Sequence, residues 1–247
     1  MCDTLQNTAI STQVKHLEAC NQILREAKET ADQGILYRAG AFKFQEALMI
    51  IMSDASWAND EKIIDDKVFP RQSHYAKITA LGHSDLWENN EGLIHIIGWK
   101  SGLIKCTCRS TFRAETHGMI YAKEASDGVR AIITDMRGKF DKNDWESICA
   151  REVPNVWMTD CQSLHDYLVN PVAQGSENKR LEIDLESLRE SLWEYPDGRP
   201  KDEITKQQTD KPRWIDTSTM LCDPLTKTGS AGFCDRLRET MSSGMMY

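Results

Sequence analysis

The sequence lacks most of the signals that place a chain in a membrane or outside the cell. No apolar run approaches the roughly 20 residues that a bilayer-spanning helix needs. The opening Met-Cys-Asp-Thr-Leu-Gln-Asn-Thr has neither the basic nor the apolar region of a secretory leader. These absences lead us to expect a soluble intracellular protein, cytoplasmic or nuclear, that is not secreted and has no membrane partner. Eight cysteines are present, at 2, 20, 106, 108, 149, 161, 222 and 234, but no pair is spaced C-x-x-C. The close pair Cys106-Thr107-Cys108 would point to opposite faces of a strand. The six histidines form no H-E-x-x-H and no zinc-finger spacing. A disulfide scaffold and a zinc framework are therefore not expected, and the thiols read as reduced. Positive charge is also scarce. A formal net charge of −8 argues against nonspecific affinity for nucleic acid. Arg71, Lys100, Lys105, Arg109, Arg113, Lys211 and Arg213 could still line a local phosphate track.

What is present is a core. A hydrophobic fraction of 40% and seven tryptophans in 247 residues suit one packed domain with room for an appendage. Residues 12–30 carry Leu17, Cys20, Leu24 and Ala27 at helical spacing. The continuous apolar run Ala47–Met52 predicts a strand buried on both faces and ending at Ser53-Asp54. The polar stretch 59–70 reads as a loop, and Tyr75–Leu81 and Leu93–Trp99 as strands separated by a polar excursion. Lys100-Ser101-Gly102 reads as a turn, with Leu103–Cys108 extending the sheet. Ser110 or Thr111 should cap a helix of roughly 25 residues that Gly138 stops. Val153–Thr159 predicts a strand, Gln162–Leu168 and Leu181–Trp193 helices, and 203–216 a last strand. Thr217 or Ser218 then caps a final helix. Alternating strands and helices of this kind describe a mixed α/β layer.

Four acids stand out by their contexts. Asp54 ends the apolar run before Ala55-Ser56-Trp57-Ala58, and Glu115 opens the long helix after Arg109-Ser110-Thr111-Phe112-Arg113-Ala114. Asp160 follows the strand Val156-Trp157-Met158-Thr159, and Asp223 sits in Leu221-Cys222-Asp223-Pro224-Leu225-Thr226-Lys227. Most acidic residues are solvated surface charge. Four carboxylates converging from separate elements are different, because they can hold two divalent cations and hydrolyse a phosphodiester. Trp57, Trp99 and Trp157 read as core residues, and His165 as a structural histidine near Asp160.

These contexts, in this order, resemble the ribonuclease H domain of copia-type retrotransposon Pol polyproteins. The family's first strand ends S-D-A-x-W-A, as Ser53–Ala58 does. Its glutamate follows R-S-T/S-x-A-E, its third acid stands in T-D-x-x-S-L, here Thr159–Leu164, and its tail reads W-I-x-T-x-x-x-L-A-D-x-L-T-K, here Trp214–Lys227. Arg71-Gln72-Ser73, Ile97–Ser101 and Lys179–Asp184 extend the likeness, and Val14–Arg25 resembles the segment that joins the reverse transcriptase to this domain. Cys222 replaces the usual Ala before the fourth acid, Cys161 replaces a common Asn after the third, and 82–92 look like a loop insertion.

The resemblance implies a ribonuclease H-like mixed five-stranded sheet flanked by helices over residues 45–247, preceded by a helical linker over 1–44. It implies a metal-dependent endonuclease, a hydrolase that degrades the RNA strand of RNA/DNA hybrids during reverse transcription. Asp54, Glu115, Asp160 and Asp223 would be both catalytic and metal-holding, with two Mg²⁺ about 3.5–4 Å apart and Mn²⁺ as a substitute. Arg71, Ser73, Arg109 and Ser110 would contact the hybrid, which a reverse transcriptase domain of the same polyprotein would share, inside a retrotransposon particle. The alternative is a decayed copy that binds nucleic acid or a partner without cutting.

Overall fold

The computed structural model describes residues 14–64, 67–89, 91–170, 179–194, 207–226 and 231–246. The first thirteen residues of the expected linker, the Gly198-Arg199-Pro200 break and Lys227 lie outside the described residues. Helix α1 (Val14–Glu29) forms where the amphipathic spacing predicts it, and it leaves Leu17 and Leu24 exposed. The chain then runs irregularly to the sheet, with Leu36 N–H donating to the Met241 carbonyl at 2.8 Å and the Tyr37 hydroxyl to the Ile96 carbonyl at 2.7 Å.

Strands β1 (Leu48–Ile64), β2 (Lys67–Gly82) and β3 (Gly92–Leu103) form an antiparallel meander. Four expectations are corrected here. Asp54 does not end β1, because pairing runs on through Asp54↔Ala76 and Ser56↔His74 to Ile64↔Lys67. Residues 59–64 and 67–70 of the expected loop are accordingly in two strands: backbone partners, not side-chain polarity, continue a ladder. A bulge follows Ser56, where Ala58 takes a left-handed φ of 56° and its N–H donates to Ser73 Oγ at 3.3 Å. Lys100-Ser101-Gly102 lies inside β3, and of Leu103–Cys108 only Leu103 is in the strand, the rest leaving the sheet.

Helix α2 (Thr111–Met136) carries Ser110 as its cap, with Ser110 Oγ accepting from Arg113 N–H at 3.2 Å. Gly138 ends it at a left-handed φ of 73°. A short helix with no counterpart in the sequence reading, α3 (Trp145–Glu152), leads into β4 (Asn155–Thr159). Next come α4 (Gln162–Val169), α5 (Lys179–Glu190) and a two-stranded ribbon of β5 (Trp193–Glu194) and β6 (Gln207–Gln208). Strand β7 (Asp210–Trp214) follows, and Asp216 rather than Thr217 or Ser218 caps the 3₁₀ turn Thr217–Thr219. The chain closes with α6 (Asp223–Thr226), α7 (Ala231–Ser243) and β8 (Met245–Met246).

The result is a mixed α/β sheet flanked by helices, in the order β7-β4-β1-β2-β3-β8, with β4 parallel to both β1 and β7. It has six strands rather than five. The sixth, β8, is two residues long, too short to show an alternating pattern, and is placed by Ile94 N–H donating to the Gly244 carbonyl at 2.8 Å. The period of two along β1 divides the core. Leu48, Ile50 and Met52 pack with Ile78, Val156, Met158, Met220 and Leu221 on one face. Met49 and Ile51 pack with Met119, Ala122, Trp157 and Leu164 on the other. Arg130 of α2 is clamped between elements: its guanidinium donates to both oxygens of Asp210 on β7, at 3.0 and 2.8 Å, and to the Val153 carbonyl at 2.8 Å. Among the described residues, no helix is long and apolar enough to cross a membrane.

Candidate active site

The pairing of β1 with β4 places the first two acids. Met52 stands opposite Met158 at the end of the ladder, so Asp54, two residues on, and Asp160, just past the end of β4, emerge on the same side of the pair. The even-numbered face of β1 that buries Leu48, Ile50 and Met52 also carries Asp54. That face is covered by the C-terminal segment, whose Cys222 donates through Sγ to the Met52 carbonyl at 3.3 Å and delivers the adjoining Asp223. Carboxylate oxygens of Asp54, Asp160 and Asp223 consequently lie within 4.8 Å of one another. Asp54 is 3% exposed and Asp223 fully buried, while Asp160 is partly open.

Glu115 approaches from the opposite layer. Its Oε1 accepts from Ala55 N–H at 3.3 Å, which sets the carboxyl against β1 one residue beyond Asp54. Glu115 is itself 4% exposed. The Ser110 cap fixes where α2 begins, and thereby fixes Glu115 in its second turn. Two donors hold the acids in place: the Thr226 hydroxyl donates to Asp54, and Trp214 Nε1–H donates to the Asp160 carbonyl at 3.0 Å. Thr226 belongs to the Leu225-Thr226-Lys227 end of the tail pattern, which was its only sequence signal.

The electrostatics of this pocket are legible at Cys222. Burial pushes its thiol well up, and the charges of Asp54, Asp160 and Glu115 push it further. Cys161 is raised in the same way, by burial first and then by Glu115 and Asp160 among its neighbours. Both cysteines that depart from the family pattern are therefore neutral, packed thiols in a negative field, and neither displaces a carboxylate. Three hard oxygen donors, with a fourth beside them, in a field of that sign fit Mg²⁺ or Mn²⁺. They do not suit a soft ion.

The expected nucleic-acid contacts are distributed differently. Ser73 is 2% exposed and accepts the Ala58 N–H within the bulge, Ser110 is an exposed helix cap, and Arg109 is exposed. The side chain of Arg71 lies outside the described residues. Lys211 and Arg213 do not line a track. Both donate to the Trp87 carbonyl at 2.8 Å, holding the 82–92 excursion. A cleft of about 320 Å³ instead gathers Lys77, Lys100 and Lys105 beside Tyr75 and Tyr121. Of the tryptophans, Trp157 is core, but Trp57 and Trp99 are 42% and 61% exposed. Trp57 stands at the β1 bulge with its Nε1–H on the Cys108 carbonyl at 3.0 Å, and Trp99 lies on β3 beyond the part that β8 pairs with. His165 Nδ1 contacts its neighbour Asp166 at 3.1 Å.

No family model matches the chain, and no curated protein does. Among solved structures it is similar to LC11-RNase H1 in complex with an RNA/DNA hybrid, at 10% identity and a TM-score of 0.36, over 70% of this chain and 88% of that one. The RNase H domain of PFV gives 11% and 0.38, over 81% and 94%. The Prototype Foamy Virus protease-reverse transcriptase gives 10% and 0.33, over 81% of this chain and 21% of that one. TM-scores this low carry no argument about function, which rests on the geometry above.

Proposed function

We propose that the chain is a divalent-metal-dependent endonuclease that cuts the RNA strand of RNA/DNA hybrids, acting in retrotransposon reverse transcription of the copia type. The observation that supports this most is the meeting of Asp54, Asp160 and Asp223, from segments far apart in sequence, within 4.8 Å in a buried setting. Packing alone does not bring buried like charges together, since each costs several kcal/mol to desolvate unless a cation or partner compensates.

Asp54, Asp160 and Asp223 would hold the ions, Mg²⁺ or Mn²⁺, with Glu115 completing the set from α2. Bound there, the ions would supply a hydroxide at neutral pH and neutralise the departing ribose 3′-oxygen. The residues around them do the orienting. Thr226 fixes the rotamer of Asp54, Trp214 fixes the turn that presents Asp160, and Cys222 anchors the segment that carries Asp223. The lysine-lined cleft offers the phosphate backbone a cationic surface that the net charge of the chain conceals. At the α2 cap, Ser110 uses only an oxygen lone pair to accept from Arg113, so its O–H can donate to a ribose 2′-hydroxyl in a shallow minor groove.

The test is cleavage of a labelled RNA/DNA hybrid in Mg²⁺ or Mn²⁺ by the wild type and by Asp54→Asn. Cutting confined to the RNA strand, requiring metal and lost in the variant by at least a hundredfold, is the expected result. A well-folded wild type that binds the hybrid and never cuts it would overturn the enzyme reading in favour of a decayed copy that only binds.

A further inference from the structure

Three side chains outside the acidic pocket converge where the chain crosses from β3 to α2. The pattern Cys106-Thr107-Cys108 would send its sulfurs to opposite faces of a strand, but the strand stops at Leu103. Ile104 N–H turns back to the Ser73 carbonyl at 2.8 Å, and residues 105–109 run irregularly to the Ser110 cap. Both sulfurs thereby face the second turn of α2. The two sulfurs and one imidazole nitrogen of His117 all lie within 4.8 Å of one another, and Cys106 Sγ is 3.1 Å from His117 Nε2. Around a tetrahedral Zn²⁺, with bonds of about 2.0–2.3 Å, such atoms would stand roughly 3.5–3.8 Å apart, so closure asks for shifts on the order of 1 Å.

We propose that Cys106, Cys108 and His117 form a second metal site, one for a thiophilic cation such as Zn²⁺, with its fourth position left to water. The donor set separates it from the acidic pocket: two sulfurs and an imidazole select a borderline-soft ion, whereas clustered carboxylates select a hard one. Cys108 is 8% exposed, and Cys106 and His117 are partly open, which leaves a route for the ion. Arg113 Nε donates to His117 Nε2 at 3.5 Å, and the same nitrogen lies 3.1 Å from Cys106 Sγ, so Arg113 competes with the ion for its lone pair. Arg113 gives way when the ion binds. Asp184 of α5 acts on the charge of His117 only through space, from outside the 4.8 Å cluster. The site would tie the irregular crossing to α2 two residues beyond Glu115. It stands or falls independently of the nuclease reading.

The experiment is a titration of the reduced, chelator-stripped full chain with Co²⁺ as a spectroscopic probe, followed by displacement with Zn²⁺. The expected result is a strong thiolate-to-cobalt charge-transfer band in the near ultraviolet, of the intensity of one thiolate-bound ion whatever further Co²⁺ the acidic pocket takes up, and bleached by Zn²⁺. Cys106→Ser and His117→Gln, at the two more open positions, should each weaken binding by at least tenfold. Asp54→Asn should leave the band intact, because carboxylates produce none. Absence of the band in folded wild type, or its persistence in both Cys106→Ser and His117→Gln, would overturn the proposal.

Discussion

Asp54 shows how a single side chain can serve chemistry at the expense of stability. Its carboxylate is 3% exposed and shares a 4.8 Å cluster with two others. Two unit charges 4 Å apart interact by about 4 kcal/mol at the effective dielectric of a protein near its surface. Asp54→Asn removes one of the charges and keeps an oxygen that can accept the Thr226 hydroxyl. In a metal-free, chelator-containing urea titration, the variant should therefore unfold at the same or a higher midpoint than wild type. A loss above about 1 kcal/mol would identify Asp54 as a structural hydrogen-bond partner instead. The contexts of the four acids could be read locally, since Asp54, Asp160 and Asp223 follow apolar residues and Glu115 follows a helix cap; their joint service as a metal site is our proposal. The roles of Thr226 and of His117 were not readable. A hydroxyl that holds a carboxylate and an imidazole that meets two distant thiols depend on chain crossings that no local pattern encodes.

At the level of elements, the molecule is tied together by one buried ion pair that spans three of them. Burial raises the Asp210 carboxyl above its ordinary range, and the Arg130 guanidinium and Trp157 Nε1–H pull it back. Arg130 comes from α2, Trp157 from β4 and Asp210 from β7, with the indole donating to Asp210 Oδ2 at 2.9 Å. Arg130→Met would leave Asp210 buried without its counter-ion, and we expect a loss of about 3–5 kcal/mol in urea unfolding. A loss below about 1 kcal/mol would mean that Trp157 and water suffice. The two layers that this pair joins were largely legible: β1, β4 and α2 declare themselves by an apolar run, a second run ending in an acid, and a capped helix closed by Gly138. Polarity misled at 59–64, where the ladder with β2 carries charged residues onward as strand. At 145–152, a helix of eight residues is too short for its period to register.

For the molecule as a whole, pH acts through His95, which joins the segment before the sheet to β3. Its Nε2 accepts from the Arg38 N–H at 3.0 Å, and burial lowers its affinity for a proton below the ordinary imidazole value of 6.5. The unfolded chain therefore binds that proton more readily. The contribution of His95 is complete above 6.5 and is lost as pH falls through its lowered folded value. Because the ring is only partly buried, the effect should stay below about 1 kcal/mol. The melting temperature of wild type should drop more steeply than that of His95→Gln between about pH 7 and 5, and parallel slopes would exclude the histidine. The sheet also has a feature with a colloidal consequence. Met245–Met246, Gly244 and the Tyr37–Arg38 segment occupy the outer side of β3 from Gly92 to Ile96. An open ladder of amides there would be a template for a strand from another molecule. With Gly244–Met246 folded over that margin the template is occupied in advance, so fraying of a two-residue strand would first show as self-association rather than as loss of the core.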